Sequence, residues 1–240
     1  MRSLRRGLEV LQTIADAGGE VSLRELSRRL ELAESTLHGL LQTLVQSGHV
    51  LRTADRRYAL GHALIRLGEA TNRKLGEQAA PALAGLAEAT GENADLAVLE
   101  GADAVYLAEA VNPGSVRSAR EVERRLPAWS AAAGLALLSQ LSRGELALYI
   151  ERHLPPVDSH ASQLLTELAH VNRRGYAFEA EEVEPNVSCI AMPVPASPTP
   201  LALSITGPTS RMTTDRISEM VRQLRGVTVR LGADLRRSLH

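Results

Sequence analysis

Residues 22–61 read SLRELSRRLELAESTLHGLLQTLVQSGHVLRTADRRYALG, and the spacing of apolar residues within them decides the first part of the fold. Leu37, Leu40, Leu41 and Leu44 recur at intervals that place side chains on one face of an α-helix beginning at about Glu34, and Gly48 follows its end. Ser22-Leu23-Arg24-Glu25 has the form of a capping box, in which serine oxygen and glutamate carboxylate satisfy open backbone N–H groups. A helix is therefore predicted to about Leu30, leaving Glu31-Leu32-Ala33 as a short turn. After Gly48 the pattern shortens: Val50-Leu51-Arg52-Thr53 and Arg56-Arg57-Tyr58-Ala59-Leu60 read as two strands joined through Ala54-Asp55. Upstream, Leu4, Leu8, Leu11 and Ile14 form another helical stripe, stopped by Gly18-Gly19. Three helices and a hairpin make a winged helix-turn-helix, the arrangement whose last helix enters the DNA major groove.

Helix geometry then selects candidate residues. With about 100° per residue and the leucines facing inward, Ser35, Gly39, Gln42 and Gln46 point outward, flanked by Thr36 and His38. Base contacts come mainly from the N-terminal part of a recognition helix, which favours Ser35, Thr36, His38 and Gln42. Arg52, Arg56 and Arg57 on the hairpin are placed for phosphates or the minor groove. The same pattern also fits an ordinary small core with a solvated basic face, so periodicity alone does not name the domain.

Charge divides the chain in the same way. Residues 1–74 hold 12 Lys+Arg against 8 Asp+Glu, and residues 75–240 hold 15 against 20, so a basic head precedes an acidic body although the whole chain is only -1. A hydrophobic content of 44% places the chain among folded globular proteins. No apolar run approaches the roughly 20 residues of a membrane helix, and the start lacks a signal-type apolar block, so a cytoplasmic location without membrane partners is expected. One cysteine, Cys189, excludes an internal disulfide framework and multi-cysteine zinc sites. The seven histidines have no metal-like spacing, and neither a metal nor a cofactor is expected.

Residues 62–90 are helical in pattern with a predicted break near Gly76 and Pro81. The expected division is a DNA-binding domain at 1–61, a linker helix at 62–75 and a second domain at 76–240. Beyond Gly91, short apolar runs predict strands at Leu96–Leu99, Ala104–Ala110, Gly175–Phe178, Val187–Val194 and Leu201–Thr206. Helices are predicted over 131–152 with a break, near 159–173, and from Thr213 to the end. The Pro-rich stretch 193–200 reads as a hairpin loop. The fold class is α+β.

The head and RRYALG after it, RGYAFEAEEVEPNVSCIAMPV at 174–194 and LSITGPTSRMT at 203–213 together resemble the IclR-type transcription regulators over essentially the whole chain. The resemblance implies a winged helix head, a linker helix and a GAF-like effector domain with an antiparallel sheet and flanking helices. It further implies homodimers or homotetramers that bind an operator in double-stranded DNA and respond to a small organic effector. Residue by residue, it places the effector at Trp129, the backbone of Ala132, Ala133 and Gly134, and at Glu179, Cys189, Ser204 and Thr206. The chain departs from the family where Gly39 replaces a frequent arginine. In LPAWSAAAGLALL at 126–138, Trp129, Ala131 and Leu135 stand for the usual histidine, threonine and lysine, an apolar change that disfavours a strongly anionic effector.

Period-two spacing independently puts Ser204 and Thr206 on one side of a strand, where two hydroxyls converge. The bland alternatives are that Cys189 is a buried small hydrophobe and that the two hydroxyls satisfy each other or the backbone. No catalytic residue is expected. A nucleophilic Cys189 needs a base, and His153, His160 and His170 are remote in sequence. The competing functional reading is a small-molecule-binding or hydrolytic α/β domain whose helical head dimerises and does not bind DNA.

Overall fold

The computed structural model describes residues 2–113, 124–154, 158–197 and 199–238. The chain forms two compact units, residues 1–72 and 73–240. In the first, α1 (Arg2–Asp16), α2 (Leu23–Leu30) and α3 (Glu34–Gln46) enclose Val10, Ile14, Leu26, Leu37 and Leu41. A three-stranded antiparallel sheet in the order β1 (Glu20–Val21), β3 (Tyr58–Leu60), β2 (Val50–Arg52) completes this core with Val21, Val50 and Tyr58. Strand β1 is absent from the sequence reading because two residues carry no alternation to detect.

Ser22 caps α2 by accepting the Glu25 backbone N–H at 3.2 Å, but the Glu25 carboxylate pairs with Arg29 at 2.6 Å. The reciprocal half of the predicted capping box is thus replaced by an ion pair one turn on. A complete box forms instead at Ser142 and Glu145, each side chain meeting the other's backbone N–H. The turn between α2 and α3 hinges on Glu31, whose φ of 53° lies in the left-handed region.

Helix α4 (Ala63–Thr90) runs unbroken through Gly76 and Pro81, correcting the predicted break. Pro81 lies on the exposed side, so the Glu77 carbonyl it leaves without an N–H partner faces solvent. One glycine costs about 1 kcal/mol in a helix. Burial of Ala79, Leu83, Leu86 and Ala87 around these positions outweighs both penalties.

The second unit is built on a six-stranded antiparallel sheet. Its order is β6 (Arg125–Pro127), β5 (Asp103–Ala110), β4 (Asn93–Glu100), β9 (Leu201–Pro208), β8 (Val187–Pro193), β7 (Ala177–Ala180). Alternation separates two cores. Leu201, Leu203, Ile205, Ile190 and Met192 face α4 and α8 (Thr214–Arg237), whereas Ala202, Cys189, Ala191, Ala177 and Ala97 face α5 (Ala132–Leu138) and α7 (Asp158–Arg174). The alanines let α5 lie close to the sheet, and every residue of α5 is buried. Helix α6 (Arg143–His153) adds Tyr149 to the same side.

Strand β4 starts earlier than predicted because Asn93 and Asp95 look like loop residues, yet both are buried and hydrogen-bonded. Residues 194–200 connect β8 to β9, which pair antiparallel, as a hairpin loop requires; Pro198 of that stretch lies outside the described residues. Among the described residues no helix is long and apolar enough to cross a membrane.

Candidate functional site

Helix α3 buries Leu37 and Leu41 and turns Ser35, Thr36, His38, Gly39, Gln42 and Gln46 to solvent. The side chains sequence geometry selected therefore share one exposed polar face. On the hairpin, Arg52 and Arg56 are exposed, and Arg56 sits at the tip with a φ of 63°. The tip is tied by Thr53, which bonds Asp55 at 2.5 Å and receives the Arg57 N–H at 3.1 Å; the Thr53 hydroxyl holds the Asp55 carboxyl below its ordinary range. Arg57 differs from its neighbours. Its guanidinium pairs with Glu20 of β1 at 2.8 Å, so it ties the hairpin to β1 at the surface of the small sheet.

In the second unit Glu179, Cys189 and Thr206 come together around a cavity also lined by Tyr106, Arg124 and Glu184. The cavity has room for about 10 Å³, roughly one water, so a larger occupant requires it to widen. Glu179 is buried, and its carboxylate accepts the backbone N–H groups of Glu182 and Val183 at 2.9 and 3.1 Å, fixing the turn beyond β7. Ser204 and Thr206 do converge, but on a third residue: both hydroxyls donate to Oδ2 of Asp95, each at 3.2 Å. Thr206 also lies 3.5 Å from Cys189 Sγ.

Ala132, Ala133 and Gly134 are buried at the start of α5; a Cβ at Gly134 overlaps the Ala128 backbone, so this glycine permits close packing. Trp129 stands apart from the cavity, stacked on His160 with ring centroids 5.1 Å apart in a different cleft. His153 packs on the Tyr149 ring, and His170 lies 3.7 Å from Glu167.

The comparisons with known proteins match both units. The family description "IclR helix-turn-helix domain" covers residues 3–54, and "Bacterial transcriptional regulator IclR C-terminal" covers residues 68–231. The chain belongs to the IclR family of bacterial transcriptional regulators. The acetate operon repressor of Salmonella typhimurium is 35% identical over 233 residues, covering 92% of this chain and 85% of that protein. The transcriptional repressor IclR of Escherichia coli is 32% identical, covering 91% and 84%. Among solved structures, an IclR homolog of Microbacterium hydrocarbonoxydans complexed with 4-hydroxybenzoate is 26% identical, with a TM-score of 0.61 and coverage of 98% and 99%. The Thermotoga maritima IclR structure is 25% identical with a TM-score of 0.62, over 98% and 99% of the two chains.

Within this IclR-family chain, sequence reasoning missed two buried carboxylates. Asp95 interrupts an apolar strand at a position facing β9, a pattern that in a buried strand calls for a hydrogen-bonded partner. Glu92 is fully buried and receives Arg211 at 2.5 Å and Arg216 at 3.5 Å; Arg216 also donates to the Thr90 carbonyl at 2.7 Å. These bonds join the end of α4 and the residues just after it to Arg211, in the turn before α8, and to the first turn of α8. Residues more than a hundred positions apart meet there, and no local spacing announces it.

Proposed function

We propose that this chain is a sequence-specific operator-binding regulator whose DNA affinity is set by a small organic effector in the second unit. In this reading residues 1–61 bind DNA, 62–75 carry the connection and 76–240 bind effector and assemble homodimers or homotetramers. Ser35, Thr36, His38 and Gln42 read base edges from the exposed face of α3, while Arg52 and Arg56 hold phosphates. Arg57 contributes indirectly, by bracing the hairpin through Glu20. The effector enters between the sheet and α5, among Glu179, Cys189, Ser204 and Thr206 beside Ala132, Ala133 and Gly134. No catalytic step is assigned to the chain.

The observation that carries this reading is the order of the two family matches on one chain, with an exposed polar helix face in the first unit and a convergent polar cluster in the second. With DNA and effector assigned to different units, the effector acts through differential affinity for two arrangements of the assembly. The closed cavity supplies the difference: an arrangement that widens it admits effector, and one that closes it does not.

Fluorescence anisotropy against DNA from upstream of the chain's own gene, over a salt series, tests the DNA half. Replacing Arg52 and Arg56 with alanine lowers the log–log salt slope by about 0.9 for each lost phosphate contact. Affinity and slope unchanged in that double variant remove the hairpin from the DNA surface. Mass spectrometry of small molecules that co-purify with the protein, followed by calorimetric titration of the wild type and Thr206→Val, tests the effector half. Unchanged affinity in Thr206→Val takes β9 out of the pocket.

A further inference from the structure

Turn 181–184 separates two cavities: Val183 and Glu184 line the small one beside Cys189, and Glu182 lines another of about 450 Å³ that shares no lining residue with it. The larger cleft has a distinct chemistry. One wall is the Trp129 indole, stacked on His160 at an interplanar angle of 27°. Glu167 and Glu182 supply two carboxylates, and among the described residues no lysine or arginine lines the cleft. Ser130 and Gln163 add uncharged polar groups. Nδ1 of His160 is buried there without a hydrogen-bond partner among the described residues. An aromatic face attracts cations through its quadrupole, and the two carboxylates add to that attraction, with the His170 imidazole 3.7 Å from Glu167 a counter-charge only when protonated.

We propose that this cleft binds a small organic ammonium ion, held against Trp129 and between the carboxylates of Glu167 and Glu182. The chemistry excludes the competing classes in turn. A carboxylate or phosphate ligand meets two like charges and, among the described residues, no lysine or arginine in the lining. An inorganic cation gains from the carboxylates but must shed a tightly held hydration shell to use the indole wall, and a purely apolar molecule leaves both carboxylates unanswered. Burial, with Glu179 and then Glu167 nearby, holds the Glu182 carboxyl above its ordinary range, and a bound cation relieves that repulsion. The proposal is independent of the effector cavity, since the two sites share no lining residue.

Trp129 is the chain's single tryptophan, so selectively excited tryptophan fluorescence of the full-length protein reports on this cleft. The titrants are choline, the neutral isostere 3,3-dimethyl-1-butanol, and potassium chloride at matched ionic strength. The expected result is a saturable change with choline at about millimolar concentration, and no saturable change with the other two. Glu182→Gln and Glu167→Gln each weaken the choline response about threefold or more while keeping a cooperative thermal transition. Thr206→Val leaves the response unchanged. A curve for the neutral alcohol that matches choline, a choline response no different from the salt, or loss of the response in Thr206→Val overturns the proposal. In the last case the ligand occupies the Cys189 cavity.

Discussion

Asp95 Oδ2 accepts the Thr206 hydroxyl at 3.2 Å across the β4–β9 pair, and the Ser204 hydroxyl reaches the same oxygen. Thr206 has one hydroxyl proton and two acceptors in reach, Asp95 Oδ2 at 3.2 Å and Cys189 Sγ at 3.5 Å, and of the two hydroxyl residues it is the one that lines the cavity. Thr206→Val keeps the shape and removes one donor from a buried carboxylate. Its expected cost is about 1–3 kcal/mol in urea unfolding. Combined with Asp95→Asn, the loss is smaller than the sum of the single losses, because the two residues share one interaction. Strict additivity means the bond contributes nothing to stability.

Glu92 and Gly207 are coupled by space. A Cβ at Gly207 overlaps the Glu92 carboxylate, which needs that room to reach Arg211 and Arg216. Gly207→Ala is therefore expected to displace the carboxylate and break both contacts. Glu92→Ala removes the buried charge itself, and the two arginines, 35% and 44% exposed, rehydrate readily. Its expected cost is the charged hydrogen bonds, about 1.5–3 kcal/mol. In the Glu92→Ala background, Gly207→Ala then adds little. Chemical denaturation of the four proteins measures this, and a Gly207→Ala penalty of equal size in both backgrounds contradicts the steric account.

The contrast between these carboxylates and the head shows where the fold is legible in sequence. Leu37, Leu41, Ser35 and Gln42 were placed correctly inside and outside because helical period is local and α3 is long enough to display it. Residues 201–206 showed their alternation for the same reason. Strands β1 and β6, of two and three residues, fall below the length at which any period exists. The pairing of Asp95 with Ser204 and Thr206 depends on strand order, which places β4 beside β9 and is invisible to spacing. Trp129 was grouped with Cys189 through resemblance alone, and its stacking on His160 sets it in another cleft.

Gly39 stands in the middle of α3, exposed, with nothing beyond its chain neighbours and its own helix backbone within 4 Å of where a Cβ would lie. Glycine there carries a conformational cost without a steric reason for it. Gly39→Ala is expected to stabilise the first unit by about 0.5–1 kcal/mol. Gly39→Arg restores the family's more frequent residue on the face proposed to meet DNA, and one added phosphate contact steepens the log–log salt slope by about 0.9. Thermal melts and salt-dependent anisotropy measure the two effects. A stabilised Gly39→Arg protein with an unchanged slope turns this part of α3 away from the phosphates.

Glu182 gives a prediction in pH. Its carboxyl is raised above the usual 4.5 chiefly by partial desolvation, although the residue as a whole is exposed, then by Glu179 and Glu167. The raised value means that the unfolded chain ionises first as pH increases. Below the unfolded value the proton is on in both states, and the group imposes no penalty. As pH rises through the folded value the folded state must ionise in an environment that resists it, and that increment of stability is lost. Glu182→Gln cannot ionise and keeps the increment. The variant is thus expected to melt at the same temperature as wild type at about pH 4 and at a higher temperature at about pH 7. The shift is modest because the residue is exposed. Adding choline to the wild type at about pH 7 should recover part of the difference by supplying the missing positive charge, and should shift the variant by less. A variant equally stabilised at both pH values owes its gain to packing, and the electrostatic account of this turn then fails.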